Sequence, residues 1–160
     1  MSFYFNPYIS FNGNCEQAFC FYKSVFGGDF TKLIRYSDMQ NESGVPTPPE
    51  EFGYQIRHIE LPVYDNLILM GSDNTDTSSI DNIKMGNNMR ISILSDNEDE
   101  LKRLFEALSS GGVVKAPLCE SLWGTFYGSL IDKFGIHWAV ELRKDKQPLA
   151  FEDNSNIHIP

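Results

Sequence analysis

The sequence predicts an α+β fold built from two βαβββ modules, and two observations carry that expectation. The same order of elements occurs twice: an apolar stretch, a polar break, an amphipathic segment ending in paired glycines, then several strand-like runs. The first copy opens on Pro7-Tyr8-Ile9-Ser10-Phe11 and its helix ends at Gly27-Gly28; the second opens on Ile91-Ser92-Ile93-Leu94 and its helix ends at Gly111-Gly112. One such unit cannot cover both faces of its sheet, so two must pack together, and the concave side of their curled mixed sheets forms the natural cavity.

Taken in order, residues 6–12 read as a strand. Asn14 follows as an N-cap with Gln17 as its capping-box partner. Ala18, Phe19, Tyr22, Val25 and Phe26 fall on one helical face. Gly27 stops that helix, because glycine enters the left-handed region without a Cβ clash. A second strand covers residues 29–36. Residues 37–53 form a long polar loop carrying Pro46, Pro48 and Pro49, read equally well as a lid or as a mobile insertion. Strands resume at 54–63 and 66–72, with Asp65-Asn66 as the turn between them. The first module therefore spans residues 1–74, and residues 75–87 are a polar linker.

The second module covers residues 88–142. Ser95 to Asn97 offer N-caps, and Leu101, Leu104, Phe105 and Leu108 supply the apolar face of its helix. Strands follow at 113–117, 123–131 and 136–142, and residues 143–160 read as a loosely held tail.

Composition narrows the function by exclusion. The formal net charge of -9, with thirteen scattered Lys and Arg, argues against a nucleic-acid partner. No apolar run reaches the roughly 18 residues of a membrane span, and Met1 to Phe5 carry no signal-peptide pattern. Cys15, Cys20 and Cys119 have no metal-ligand spacing and read as reduced thiols, which predicts a cytoplasmic protein. Cys15 lies at a helix N-terminus, where the dipole lowers a thiol pKa, but no His accompanies it in the sequence; Cys20 reads as packing. Twelve Phe and seven Tyr predict a well-filled core or an aromatic-lined cavity.

Six stretches in order carry a resemblance. They are Pro7 to Cys15; Phe21-Tyr22 with Val25 to Gly28; Ile56 to Leu61; Leu69 to Asp73; Trp123-Gly124 with Tyr127-Gly128; and Asp132 to Trp138. In these the chain resembles the vicinal oxygen chelate superfamily, the glyoxalase/bleomycin resistance/dioxygenase fold, in its PhnB-like branch. The resemblance implies paired βαβββ modules curled around a pocket, a small-molecule ligand and a homodimer. It admits a divalent metal in some members and metal-free sequestration of a drug or toxin in others. Some PhnB-like proteins carry a demethylubiquinone methyltransferase label. The chain has no G-x-G run to bring a backbone close to such a cofactor, so that label finds no support in the residues.

The superfamily's usual metal positions fall at or next to Pro7, Met70, Arg90 and Ala139, none a good ligand for a hard cation; Glu141 lies two residues beyond. Glyoxalase or extradiol dioxygenase chemistry at that site is therefore in doubt. His58 and Glu60 form a different cluster. Two apart on a strand, they share a face, and with them Ile56, while Arg57, Ile59 and Leu61 point the other way. Such a pair suits acid–base work or two positions on a relocated metal, with Asp73, Glu120 or Glu141 as a third ligand; it suits equally a solvent-facing pair at a sheet edge. Trp123 and Tyr127 are candidates for stacking on a flat ligand, Met70 for apolar contact, and Tyr8 and Tyr36 for polar tips. Gly124 and Gly128 allow close approach of another backbone or a ligand. His137 reads as surface or core, and His158 lies in the tail. Three functions follow: small-molecule binding in an aromatic cavity, a metal-dependent lyase, isomerase or dioxygenase at a relocated site, and non-catalytic sequestration.

Overall fold

The computed structural model describes residues 4–39, 50–64, 67–75, 83–120 and 124–143. The first unit runs β1 (Tyr8–Phe11), α1 (Cys15–Phe26), β2 (Lys32–Arg35), β3 (Ile56–Val63) and β4 (Leu67–Asp73). The second runs β5 (Ile91–Ser95), α2 (Glu98–Ser109), β6 (Val113–Glu120), β7 (Phe126–Ile131) and β8 (His137–Leu142). Each unit forms one four-stranded mixed sheet, in the orders β1-β4-β3-β2 and β5-β8-β7-β6, with β1–β4 and β5–β8 parallel and the other described pairs antiparallel. The α+β fold of two βαβββ units is thus present. The sheets do not close into a barrel.

Helix α1 buries Cys15, Ala18, Phe19, Tyr22 and Val25 against Ile59, Leu61, Val63 and Leu69; helix α2 buries Leu101, Leu104, Phe105 and Leu108 against Leu130, Trp138 and Val140. Two glycines let the helices sit close. A Cβ on Gly71 would lie 2.5 Å from Phe19 Cε2, and one on Gly128 would lie 2.8 Å from Phe105 Cε2 and 2.9 Å from Leu118 Cα. The close approach expected at Gly128 is therefore to the chain's own helix and neighbouring strand, whereas Gly124 serves a turn at φ 75° with open space around it.

The two units meet on their helix sides. Tyr22 donates to Asp132 at 2.9 Å and packs edge-on to Trp138, Phe21 lies against Phe134, Phe26 against Trp138, and Arg103 donates to the Val25 carbonyl at 3.0 Å.

The helix starts differ from expectation in one case. Asn97 caps α2, its side chain accepting from the Glu100 amide at 3.1 Å. Asn14 makes no side-chain cap bond; the buried Asp73 carboxylate at the end of β4 instead accepts from the first helical amide, Cys15 N, at 2.9 Å. Gly27 ends α1 at φ 80°, its amide returning to Lys23 O at 2.8 Å. Within the expected 37–53 loop, Tyr36–Met39 and Glu50–Phe52 form short 3-10 turns, and residues 40–49 lie outside the described residues. The Asp65-Asn66 turn, Trp123 and residues 144–160 lie outside them as well. Strand β6 runs on to Glu120, past the expected end at 117, through two irregularities in its register with β7.

Candidate functional site

Strand β3 sets the site through a bulge. Its register with β2 shifts between Ile34, opposite His58, and Arg35, opposite Ile56. The extra residue breaks simple alternation. Ile56 therefore turns into the helix-side core with Ile59 and Leu61, all three fully buried. This corrects the expectation that Ile56 shares the face of His58 and Glu60. His58 and Glu60 do project together from the helix-free face, while Arg57, expected on the side of the buried Ile59 and Leu61, is exposed.

On that face four strands bring a cluster together. Tyr8 pairs with Met70, Met70 with Glu60, and Glu60 with Lys32, so these residues form one row across β1, β4, β3 and β2. His58 sits one step along the strand. Its Nε2 lies 2.7 Å from Glu60 Oε1, and both side chains are about one-fifth exposed. The Tyr8 ring stacks on the imidazole at 5.8 Å and 29°, and its hydroxyl is 3.4 Å from Nδ1. With the Nε2 hydrogen given to Glu60, Nδ1 is left as the acceptor for Tyr8, a tautomer assigned from the network. Thr31 adds a long 3.5 Å donation to the other Glu60 oxygen. The hydrogen bond from His58 first, with the Lys32 charge adding to it, holds the Glu60 carboxyl below its usual range.

The other candidates stand elsewhere. Tyr36 donates to the Asp73 carbonyl at 3.2 Å, at the far end of β4. Tyr127 belongs to the second sheet, opposite Cys119 and Glu141, and accepts from Arg90 Nη1 at 3.0 Å. Trp123 is outside the described residues. Cys15 is fully buried; burial first, and then the Asp73 charge, push its thiol far above the ordinary value, which overrides the helix-dipole expectation. Two members of the site, Thr31 and Lys32, were not singled out from sequence. A lysine on a short strand that pairs with a carboxylate-bearing strand is the signal that could have found Lys32.

Among the described residues the second sheet has no equivalent of the cluster. The pair Ser92–Ala139 matches Tyr8–Met70, and Ser129–Ala139 matches Glu60–Met70. The acid–base residues thus occur in one copy of the duplicated unit. The same pairs test the fit of a superfamily metal. Tyr8, Met70, Ser92 and Ala139 offer no set of hard donors, and among the described residues no group of three or more His, Cys, Asp and Glu converges to hold an ion. Asp73, weighed as a third ligand, faces the core and is occupied by the Cys15 and Ile56 amides. The residues described do not fit that group.

Carboxyl groups here carry a pH prediction. Glu16 is lowered by its bond from Arg35, Glu60 by His58 and Glu100 by Arg103. Their folded pKa values lie below the unfolded ones, so their contribution is present above the usual Glu value of about 4.3 and is lost as pH falls through the folded values. Thermal melts should therefore show a midpoint that declines as pH drops below that value. A midpoint flat over the range would show that these pairs contribute no net stability.

The comparisons agree with this fold. Residues 4–141 match the family model described as 3-demethylubiquinone-9 3-methyltransferase. Protein YjdN of Escherichia coli K12 is 25% identical over 142 residues, covering 88% of this chain and 96% of that protein. The crystal structure of protein PA1353 from Pseudomonas aeruginosa is 34% identical, covers 90% of this chain and all of that one, and superposes with a TM-score of 0.74. The fosfomycin resistance protein FosX of Listeria monocytogenes, solved with Mn(II) and sulfate, shares the fold at 9% identity and a TM-score of 0.58, over 89% of this chain and 93% of that one. No helix among the described residues is long and apolar enough to cross a membrane. The chain belongs to the family described as 3-demethylubiquinone-9 3-methyltransferase, the PhnB-like branch of the glyoxalase/bleomycin resistance/dioxygenase fold.

Proposed function

We propose that this chain binds a small organic molecule on the helix-free face of its first sheet, where the His58–Glu60 pair exchanges a proton with the ligand. The single observation that carries this reading is the 2.7 Å contact between Nε2 and Oε1, sheltered to one-fifth exposure under the Tyr8 ring. A carboxylate hydrogen-bonded to one imidazole nitrogen orients the ring and fixes which nitrogen carries the proton, which suits general acid–base transfer. Methyl transfer, which the family description names, is not the reading adopted. Neither strand-to-helix turn of this fold, Asn12–Asn14 or Asp96–Asn97, is the glycine-rich kind that cradles a nucleotide-derived cofactor.

A second copy of the chain is the natural cover for the open face, which makes the functional unit a homodimer. Free thiols at Cys15, Cys20 and Cys119 support a cytoplasmic setting. Tyr36, Tyr127 and Trp123 remain proposed contacts for parts of the ligand beyond the central cluster.

The test is a thermal-shift screen of small aromatic and carbonyl compounds on the intact protein, with hits re-measured on His58→Ala and Glu60→Gln. Both variants should melt near the parent, since the side chains are on a solvent-facing sheet. Both should lose about tenfold or more in affinity, the effect of removing a charge-assisted hydrogen bond. If a hit is chemically altered, rates should fall by about 10²–10⁴ in His58→Ala. A hit released unchanged by the parent assigns sequestration instead. Unchanged affinity in both variants removes the pair from the site.

A further inference from the structure

A second feature adjoins the cluster and carries charge of the opposite sign to the chain as a whole. Tyr8 also lines a cleft of about 380 Å3 between β1, the segment leading into β5, and the start of β8. The cleft is walled by Met85, Met89 and Ile91 and carries Lys84, Arg90 and His137, with no Asp or Glu among its described lining residues. In a chain of net charge -9, a cleft whose described lining carries Arg90 and a histidine but no carboxylate stands out.

The wall is built, not incidental. Gly135, at φ 85°, brings the turn before β8 against Met85; a Cβ there would lie 3.3 Å from both Met85 Sδ and Cε. Arg90 donates through Nη1 to the Tyr127 hydroxyl at 3.0 Å. That neutral phenol orients the guanidinium without compensating its charge, and among the described residues Arg90 has no carboxylate partner. Its remaining donors stay available for a planar fork onto an oxyanion.

The geometry points to a binding site for a small organic carboxylate, its anionic end on Arg90 and its apolar body against Tyr8 and the thioethers of Met85 and Met89. Methionine and tyrosine give an adaptable, polarizable wall to an aryl or alkyl group. The volume lies at the low end of ligand pockets, about 300–1,000 Å3, which suits a single ring and not a nucleotide. This deepens the proton-transfer reading and rests on it for the chemistry, because Tyr8 joins the cleft to His58. The anion-binding step is independent of that chemistry and is tested separately.

The experiment uses the full chain labelled with 13C at the methionine methyls, with phenylacetate and its neutral isostere phenylacetamide as probes. Phenylacetate should shift the Met85 and Met89 signals saturably, and more weakly in high salt. Phenylacetamide should bind at least about tenfold more weakly, and Arg90→Gln should lose phenylacetate by a similar factor while melting like the parent. His58→Ala should keep the carboxylate preference. Equal binding of acid and amide, an unchanged Arg90→Gln, or no shift at either methyl would each overturn the assignment and leave Arg90 an ordinary exposed cation. If carboxylate preference fails while His58→Ala and Glu60→Gln still lose their screened ligands, the anion site falls and the proton-transfer reading stands. The reverse pattern separates them the other way.

Discussion

Replacing Asp132 with Ala should cost about 3–5 kcal/mol and lower the melting midpoint by roughly 10 °C, the largest stability loss expected of any single substitution outside the apolar core. Asp132 is 3% exposed and accepts four donors. Oδ1 takes the Phe134 and Ile136 amides at 2.8 and 3.0 Å, which shapes the turn before β8. Oδ2 takes Trp138 Nε1 and the Tyr22 hydroxyl, both at 2.9 Å, and Tyr22 comes from the helix of the other unit. Burial, and then the Asp132 charge, push the Tyr22 phenol far above its ordinary value, so it stays a donor at any working pH. Alanine would strand an indole N–H and a phenol O–H in the core, and each unmet buried donor costs about 1–3 kcal/mol. Asparagine separates the contributions. Its oxygen can keep the two turn amides while its NH2 meets Trp138 and Tyr22; the hydroxyl can rotate to accept, but the indole cannot. Asp132→Asn should therefore fall between Ala and the parent, and Tyr22→Phe should cost least. Urea unfolding followed by tryptophan fluorescence measures all three. A loss under about 1 kcal/mol in Asp132→Ala would mean that the Asp132 bonds add little to the apolar packing and the Arg103–Val25 bond that also join the units.

The duplicated architecture was legible because it is written in local signals. Both helices show their apolar faces, and Gly27 and Gly111 mark their ends with positive φ. The pairing of His58 with Glu60 was legible for the same reason, since i and i+2 share a face wherever a strand is regular. Ile56 was misread because it lies across a bulge, and a bulge depends on partners distant in the chain. Its amide bonds to Asp73 and its register is set by Arg35. The stacking of Tyr8 on His58 was out of reach likewise: it needs the parallel pairing of β1 with β4, which no local pattern specifies. The cleft at Arg90 brings together residues from three separate stretches of the chain, so the sequence offered only an isolated arginine where a metal ligand would stand.

Asp73 shows how far such long-range roles depart from a residue's apparent chemistry, and its replacement is the second large effect expected. A carboxylate after Met70-Gly71-Ser72 on a strand near a His–Glu pair reads as a metal ligand. In the fold it is 3% exposed, with Oδ1 accepting from Cys15 N and Oδ2 from Ile56 N, both at 2.9 Å. One carboxylate thus caps α1 in place of Asn14 and ties down the strand end that carries the bulge. Asp73→Ala should cost about 2–4 kcal/mol, since two buried amides lose a charged acceptor. Hydrogen exchange at Cys15 and Ile56 should rise more than at amides of the second sheet. Because the bulge orients His58, ligand affinity at the His58–Glu60 cluster should fall as well, by a route Asn14→Ala cannot imitate, as Asn14 makes no cap bond. A metal-ligand role predicts the opposite pattern: bound metal lost, with stability in metal-free buffer and exchange at both amides unchanged. The two accounts differ at every readout, so one variant, measured in chelator-treated buffer and again after divalent-metal loading, decides between a capping carboxylate and a coordinating one.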